Sequence, residues 1–229
     1  MKLLSVDSAG KTAAVALTEG ETLLAEGFAD AGLTHSQMLL PLVDETLKKA
    51  GVPLKEVDAF AVTNGPGSFT GLRIGSALVK GMALGRLCYP VPTLMALACN
   101  ERSSGKVAVS LLDARRNQVY MGGYAFDEAG KPVAVIEDRA CAAEEAIALI
   151  RALDTDTILL GDGAYLLAEY ADGERIVMGE KNHILGESIA YAASFLEPVE
   201  PARLVPSYLR LSQAEREKKE REENGRSGL

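Results

Sequence analysis

The chain has 229 residues, of which 48% are hydrophobic, enough to bury a sizeable core in one or two domains. Its 32 acidic and 24 basic side chains leave a net charge of −8. This excludes a stand-alone nucleic-acid binder, which needs a basic surface to engage phosphates. No apolar run approaches the ~20 residues that cross a bilayer, and Leu3 and Leu4 are followed at once by Ser5 and Asp7, unlike a secretory leader. Cys88, Cys99 and Cys141 are scattered, without paired metal-ligand spacing, and are expected to be buried thiols of a soluble cytoplasmic protein.

Residues 2–7, 12–18 and 21–28 alternate as three strands of a meander, with turns at 8–11 and at Glu19-Gly20. A helix is predicted over 34–50, opened by Thr34 and Gln37 in capping-box spacing. Met38, Leu39, Leu40, Leu42, Val43, Leu47 and Ala50 cover roughly 200° of its surface, against about 100° for a one-sided stripe. Pro41 lies inside this helix and predicts a kink.

An apolar strand at 59–62 runs into Asn64-Gly65-Pro66-Gly67-Ser68-Phe69-Thr70-Gly71-Leu72-Arg73-Ile74-Gly75, which reads as a tight turn and the start of a helix over 70–86. Ser68 or Thr70 is positioned to cap it. A helix start fed by a glycine-rich loop suits an anion, because free amides and the positive dipole end face outward. Arg73, a cation in the first turn, implies a partner carboxylate or an interface. Arg73, Lys80 and Arg86 are the charges of this helix, and Ala77, Gly81 and Gly85 form a small-residue stripe. Both helices are therefore either sandwiched within the domain or also in contact with a second subunit.

The plan then repeats. Residues 106–113, 118–126 and 132–137 form a second meander, with turns at 114–117 and 127–130. A helix at 142–153, a strand at 157–160 and Gly161-Asp162-Gly163, opening another helical stretch, follow. The expected fold is α/β, with two similar halves, each a mixed sheet with a three-stranded meander and flanking helices, facing each other across a cleft. The halves divide at 1–103 and 104–211, and 212–229 is a charge run expected to be disordered or a solvated helix.

Asp7 and Asp113 occupy equivalent strand ends, where they either hold a metal-bound phosphate or cap the adjacent turns. Gly10, Lys11 and Thr12 are compatible with touching a phosphate. The equivalent loop, Ala114-Arg115-Arg116-Asn117, lacks glycine, and side chains obstruct the close backbone approach that a phosphate cradle needs. Arg115 and Arg116 can still meet an anion through their guanidinium groups. Gly161-Asp162-Gly163-Ala164 is a weak signal for a nucleotide base. His35 reads as a packing or hydrogen-bonding histidine, His183 as a loop residue, and Ser68 lacks the pattern of a nucleophile elbow.

The duplicated plan resembles the actin-like ATPase superfamily, with its ribonuclease H-like halves. More narrowly, Thr34-His35-Ser36-Gln37, Leu39-Leu40-Pro41, the run from Asn64 to Gly75, Leu112-Asp113-Ala114-Arg115-Arg116, Gly161-Asp162-Gly163-Ala164 and Pro206-Ser207-Tyr208-Leu209-Arg210 are similar to the TsaB family, also called YeaZ. The resemblance covers residues 1 to about 210. It implies a non-catalytic scaffold needed to attach a threonylcarbamoyl group to the adenosine beside the anticodon of tRNAs reading codons that start with A. The implied partners are a TsaD-like catalytic subunit, a TsaE-like ATPase in the full complex, and tRNA through that complex; a homodimer is implied when the catalytic partner is absent.

The sibling's metal-binding His-x-x-x-His aligns with Thr93 and Leu97, which do not suit a metal. No catalytic residue, metal or required cofactor is therefore expected, with residual nucleotide binding confined to the degenerate loop at Gly10, Lys11 and Thr12. The resemblance puts Met38, Leu40, Leu42, Arg73, Ala77, Lys80 and Gly81 at the subunit contact. The competing readings are a free-standing small-molecule kinase, which needs an intact second phosphate loop, and a metallopeptidase, which needs paired metal ligands.

Overall fold

The computed structural model describes residues 1–30, 34–173, 175–179 and 181–210; the charged tail at 212–229 lies outside them. Strands β1 (Lys2–Asp7), β2 (Ala13–Glu19) and β3 (Thr22–Ala29) form the predicted antiparallel meander. Helix α1 (His35–Ala50), strand β4 (Ala59–Gly65), helix α2 (Phe69–Ala83) and strand β5 (Cys88–Pro92) follow, with β4 parallel to β1 and to β5. After helix α3 (Thr93–Ala98) the pattern recurs in β6 (Val107–Arg115), β7 (Gln118–Phe126), β8 (Pro132–Ala142), α4 (Ala143–Ala152), β9 (Thr157–Leu160) and β10 (Ile176–Met178). Helix α5 (Gly186–Ala193) comes last. The sheet orders, β3-β2-β1-β4-β5 and β8-β7-β6-β9-β10, are the same topology twice.

The sheets are stacked with helices between and outside them. Leu4 and Val6 of β1 share one core with Leu39 and Val43 of α1 and Val79 of α2. Leu3, on the opposite face of β1, joins Leu94 and Leu97 of α3, Ile189 and Ala192 of α5, and Leu112 and Tyr120 of the second sheet. Val109 and Leu111, on the other face of β6, pack against Ile147 and Ile150 of α4. The layer order is α1/α2, first sheet, α3/α5, second sheet, α4. Alternation in β1 and β6 thus points consecutive side chains into different cores.

The sequence reading placed neither α5 nor β10, and it found β5 and α3 only through an alignment. All four are short, and α3 is buried on nearly every side, which erases the polar–apolar period. Close approach is the reason for Gly186: a Cβ there would strike Ala16 and Val15 of β2. Its amide donates to Glu26 Oε1 at 2.7 Å, tying the start of α5 to β3.

Helix α1 begins as predicted, with Gln37 Oε1 accepting from the Thr34 amide at 3.4 Å and from its hydroxyl at 2.9 Å. It runs on through Pro41 to a left-handed Gly51. Its broad apolar arc has mainly an internal explanation. Met38 and Leu42 are 7% and 8% exposed and belong to the core of the first half, whereas Leu40 is 56% exposed. Gly27 of β3 lets Leu42 and Thr46 approach the sheet.

Helix α2 ends at Ala83, three residues before the predicted Arg86, because Leu84 turns left-handed at φ 47°. Arg86 folds back instead: its guanidinium donates to the carbonyls of Ala83, Met82, Leu54 and Val57 at 2.6–2.8 Å, satisfying the helix end. The other end of α2 is held by contact with the β1–β2 turn. A Cβ on Gly71 would overlap the Ser8 carbonyl, and one on Gly75 the Ser8 hydroxyl, while Gly81 has open space around it. We therefore expect Gly71→Ala to cost more than about 2 kcal/mol, and Gly81→Ala to be neutral or to stabilise by up to about 1 kcal/mol. Urea midpoints of the two variants check this.

Candidate functional site

The ends of β1, β4 and β6 converge on a cleft between the halves, a cavity of about 450 Å³ lined by Gly10, Lys11, His35, Ser68, Asp113, Arg115 and Asp162, among others. Asp7 lies beneath it, 1% exposed. Its Oδ1 accepts from Thr63 Oγ1 of β4 at 2.6 Å and from the Ala9 amide at 3.0 Å. Burial pushes its pKa up to about 6, opposed by the Thr63 and Ala9 hydrogen bonds and by His35 nearby. Asp113 is more open and accepts from the Arg115 amide at 2.7 Å and from Arg115 Nη1 at 3.3 Å. Of the two roles left open for these aspartates, both fill that of turn cap, and they do not share the cleft wall.

The start of α2 is occupied by the chain itself. The Ser68 amide donates to the Ala9 carbonyl at 2.7 Å, Ser68 Oγ accepts from the Gly71 amide at 3.2 Å, and Ser8 Oγ donates to the Gly71 carbonyl at 2.9 Å. Of the amides at this start, that of Ser68 is thus spent on the 8–9 turn and that of Gly71 on the Ser68 cap. Gly65 has φ 128° and meets the Ser207 carbonyl. Gly161 and Gly163 press on Leu111 and Leu112 of β6, so their lack of side chains serves packing beside a strand.

Lys11 turns across the cleft to Asp162, 3.6 Å away, and the Thr12 carbonyl lies 3.3 Å from His35 Nε2. Nothing within van der Waals reach requires a glycine at Gly10. On the opposite side, Arg115, Arg116 and Asn117 all have positive φ, at 66°, 55° and 57°. Arg116 and Asn117 are the two central residues of a tight hairpin, where strand twist favours this backbone even without glycine.

Arg73 departs from the expected ion pair. Among the described residues no carboxylate pairs with it; Nε donates to Tyr208 Oη at 3.1 Å, and the guanidinium carbon sits 5.9 Å and 5.8 Å from the Phe69 and Tyr208 ring centres. Those rings stack at 4.4 Å. The Ser207 amide donates to the Asn64 carbonyl at 2.6 Å, and Arg210 Nη1 to the Ala114 carbonyl at 3.1 Å. Residues 207–210 thus strap the start of α2 to the β6–β7 turn.

Of the residues read as a subunit contact, Leu40, Arg73, Ala77 and Gly81 are exposed and Lys80 half-buried. Met38 and Leu42 are not on that surface: both face the chain's own sheet, a correction that a helical wheel cannot supply. Leu40 instead borders a cavity of about 440 Å³ with Leu47, Lys48, Leu54 and Met82, joining α1 to α2. Sequence reasoning missed Asn100, whose buried side chain donates to the carbonyls of Lys181 and His183 at 3.0 and 2.7 Å; a lone Asn carried no motif. His183 packs its ring against Phe28, 4.3 Å between centres. The three cysteines are buried free thiols, and burial pushes Cys99 up to about 12. No helix among the described residues is long and apolar enough to cross a membrane.

Two repeated sheets of this order, packed around a shared helical layer with a cleft at the strand ends, define the actin-like ATPase fold. The protein family described as "TsaD: tRNA N6-adenosine threonylcarbamoyltransferase" matches residues 29–207. A protein of Haemophilus influenzae named "tRNA threonylcarbamoyladenosine biosynthesis protein TsaB" is 34% identical over 159 residues, covering 64% of this chain and 66% of the relative. The Bacillus subtilis protein of the same name is 29% identical over 225 residues, covering 94% and 96%. The solved structure of YeaZ from Pseudomonas aeruginosa superposes with a TM-score of 0.78 at 28% identity, covering 91% of this chain and 99% of that one. The chain belongs to the TsaD family, within its TsaB (YeaZ) branch. Thr93 Oγ1 accepts from the Gly65 amide at 3.0 Å, and Leu97 packs against Gly161.

The raised pKa of Asp7 gives a signed expectation. The folded state favours its protonated form, so its contribution to stability is present below pH 4 and is lost as pH rises towards 6. Asp7→Asn keeps an acceptor for Thr63 and Ala9 without the charge. It should match wild type near pH 4 and exceed it by up to about 3 kcal/mol above pH 6.5, measured by urea unfolding across that range.

Proposed function

We propose that this chain is a non-catalytic subunit required for threonylcarbamoyl transfer to the adenosine next to the anticodon, acting by pairing with a TsaD-like catalytic subunit. Its relatives are named for threonylcarbamoyladenosine biosynthesis in tRNA. The observation that carries the scaffold role is the state of the cleft. Ser68 and Gly71 amides, Lys11 and Asp113 are all engaged within the chain, and Arg115 and Arg116 stand where a second phosphate loop would need bare backbone. That same observation disfavours a free-standing kinase.

The outer face of α1 and α2, with Leu40, Arg73, Ala77, Lys80 and Gly81, supplies the partner contact in this reading. Leu40 is an exposed apolar side chain at the edge of a groove, and Ala77 and Gly81 permit close backbone approach. The same face would pair two copies when the catalytic subunit is absent. A TsaE-like ATPase completes the machinery, and tRNA is engaged through the assembly rather than by this acidic chain alone.

Reconstitution of tRNA threonylcarbamoylation, read by mass spectrometry of the nucleoside, should require this chain; transfer that persists after its omission defeats the proposal. Leu40→Glu should abolish co-elution with the catalytic subunit while leaving the chain's own melting temperature unchanged. Leu42→Glu should instead destabilise the isolated chain by more than about 3 kcal/mol, because it buries a charge in the first-half core.

A further inference from the structure

The outermost strand of the second sheet carries features that neither the shared topology nor the proposed scaffold role requires. β8 pairs with β7 alone, so one edge of this 11-residue strand has no neighbouring strand among the described residues. Its first part, Pro132-Val133-Ala134-Val135-Ile136, is apolar, and Val133 and Val135 are 45% and 43% exposed. A long edge strand rich in β-branched residues is a template for a further strand. A second copy of this chain supplies a matching one, because antiparallel pairing of the stretch with itself sets apolar against apolar.

Three features oppose that addition. The first is the path of the backbone. Met121 faces Arg139 and Gly123 faces Ile136, so β8 takes three steps where β7 takes two. From Gly123 to Tyr124 is one step of β7, yet from Ile136 to Ala134 is two of β8. The edge is thus bulged twice in succession, which twists it away from a straight partner.

The second is Asp138, which turns inward. Its Oδ1 accepts from the Tyr124 hydroxyl at 2.6 Å, in space left by Gly122, whose missing Cβ would strike that oxygen. Burial, helped by Glu137 and opposed by the Tyr124 hydrogen bond, pushes Asp138 up to about 6. At neutral pH the carboxylate therefore disfavours the fold instead of holding it together. A strand laid beside β8 would take more water from this charge and raise its cost. The third is Arg139, which is exposed like Glu137 and whose Nε donates to the Glu137 carbonyl at 3.3 Å. A backbone acceptor at the bulge is engaged by the strand's own side chain.

The first sheet lacks this combination. β3 holds the equivalent edge, yet its one charged residue is Glu26, which accepts from the Gly186 amide, and its pairing with β2 shifts once, at Leu17 and Thr18. We infer that the bulged Glu137-Asp138-Arg139 segment guards β8 against strand addition, keeping two copies of the chain from joining their second sheets edge to edge.

The test compares the full chain with Glu137→Thr/Asp138→Asn/Arg139→Thr, in which the side-chain amide still offers Tyr124 an acceptor. Sedimentation velocity should show self-association at least about tenfold tighter than in the parent. Val135→Cys, added to each chain, should be cross-linked between copies by a short bismaleimide in the triple variant and not in the parent; the native thiols are buried. Glu145→Gln/Arg151→Gln/Glu169→Gln removes the same charges from other exposed positions and should associate like the parent. Melting temperatures report folding, and if the triple variant does not fold, Glu137→Thr/Arg139→Thr, confined to exposed side chains, should show a gain of about threefold. The inference is overturned by a folded edge variant whose association and cross-linking match the parent's. Equal association of the control variant, or cross-linking through residue 135 in the otherwise unchanged chain, overturns it as well.

Discussion

The docking of α2 onto the turn after β1 is the constraint on which the remaining geometry depends. Gly67, Gly71 and Gly75 present bare backbone to Ala9 and Ser8, and the hydrogen bonds of Ser68 and Ser8 close the joint. With α2 fixed there, Val79 and Met82 reach the first-half core, and Arg73 faces outward beside Phe69. A glycine-rich loop leading into a helix is chemically an anion site, but only while its amides are free. Here the Ala9 carbonyl takes the Ser68 amide and the Ser68 hydroxyl takes the Gly71 amide. The features that suggest phosphate chemistry in the sequence become the features that make the scaffold rigid.

The two halves have diverged around this joint. In the first, Asp7 is buried under the turn and Thr63 holds it; in the second, the equivalent Asp113 is open and engaged by Arg115. Lys11 and Asp162 meet across the cleft, and Arg210 returns from the end of the described chain to Ala114. These last two contacts join segments far apart in sequence on either side of the cleft. The outer side of α1 and α2 keeps Leu40, Arg73, Ala77 and Gly81 exposed.

Much of the topology was legible because meanders announce themselves through period-two alternation bounded by turns. β7 and β9 carry the predicted limits, and the capping pair of Thr34 and Gln37 marked the start of α1. Other features were invisible for definable reasons. The central helices α3 and α5 are too short, at six and eight residues, to establish a pattern. The arc of α1 was too wide for one stripe, but a wheel cannot distinguish a second internal neighbour from an external subunit; Met38 and Leu42 have the former. Arg73 looked like half of an ion pair because a first-turn cation invites one, whereas the rings of Phe69 and of Tyr208, the latter 135 positions from Arg73 in sequence, share it. The glycines at 161 and 163 read as a ligand loop until the β6 carbonyls against them are known.

The placement of α3 and α5 has a consequence for how the polypeptide is made. The inner face of the first sheet, with Leu3 and Ala61, is covered by a helix that begins only at Gly186. A ribosome emitting this chain from its N-terminus therefore releases a complete five-stranded sheet, with α3 on its inner face, long before the α5 part of that cover exists. During that interval part of this apolar face is uncovered, and its closure waits for α5. The two halves share one architecture yet depend on each other for burial, so the central core is completed only when nearly all of these elements have been made.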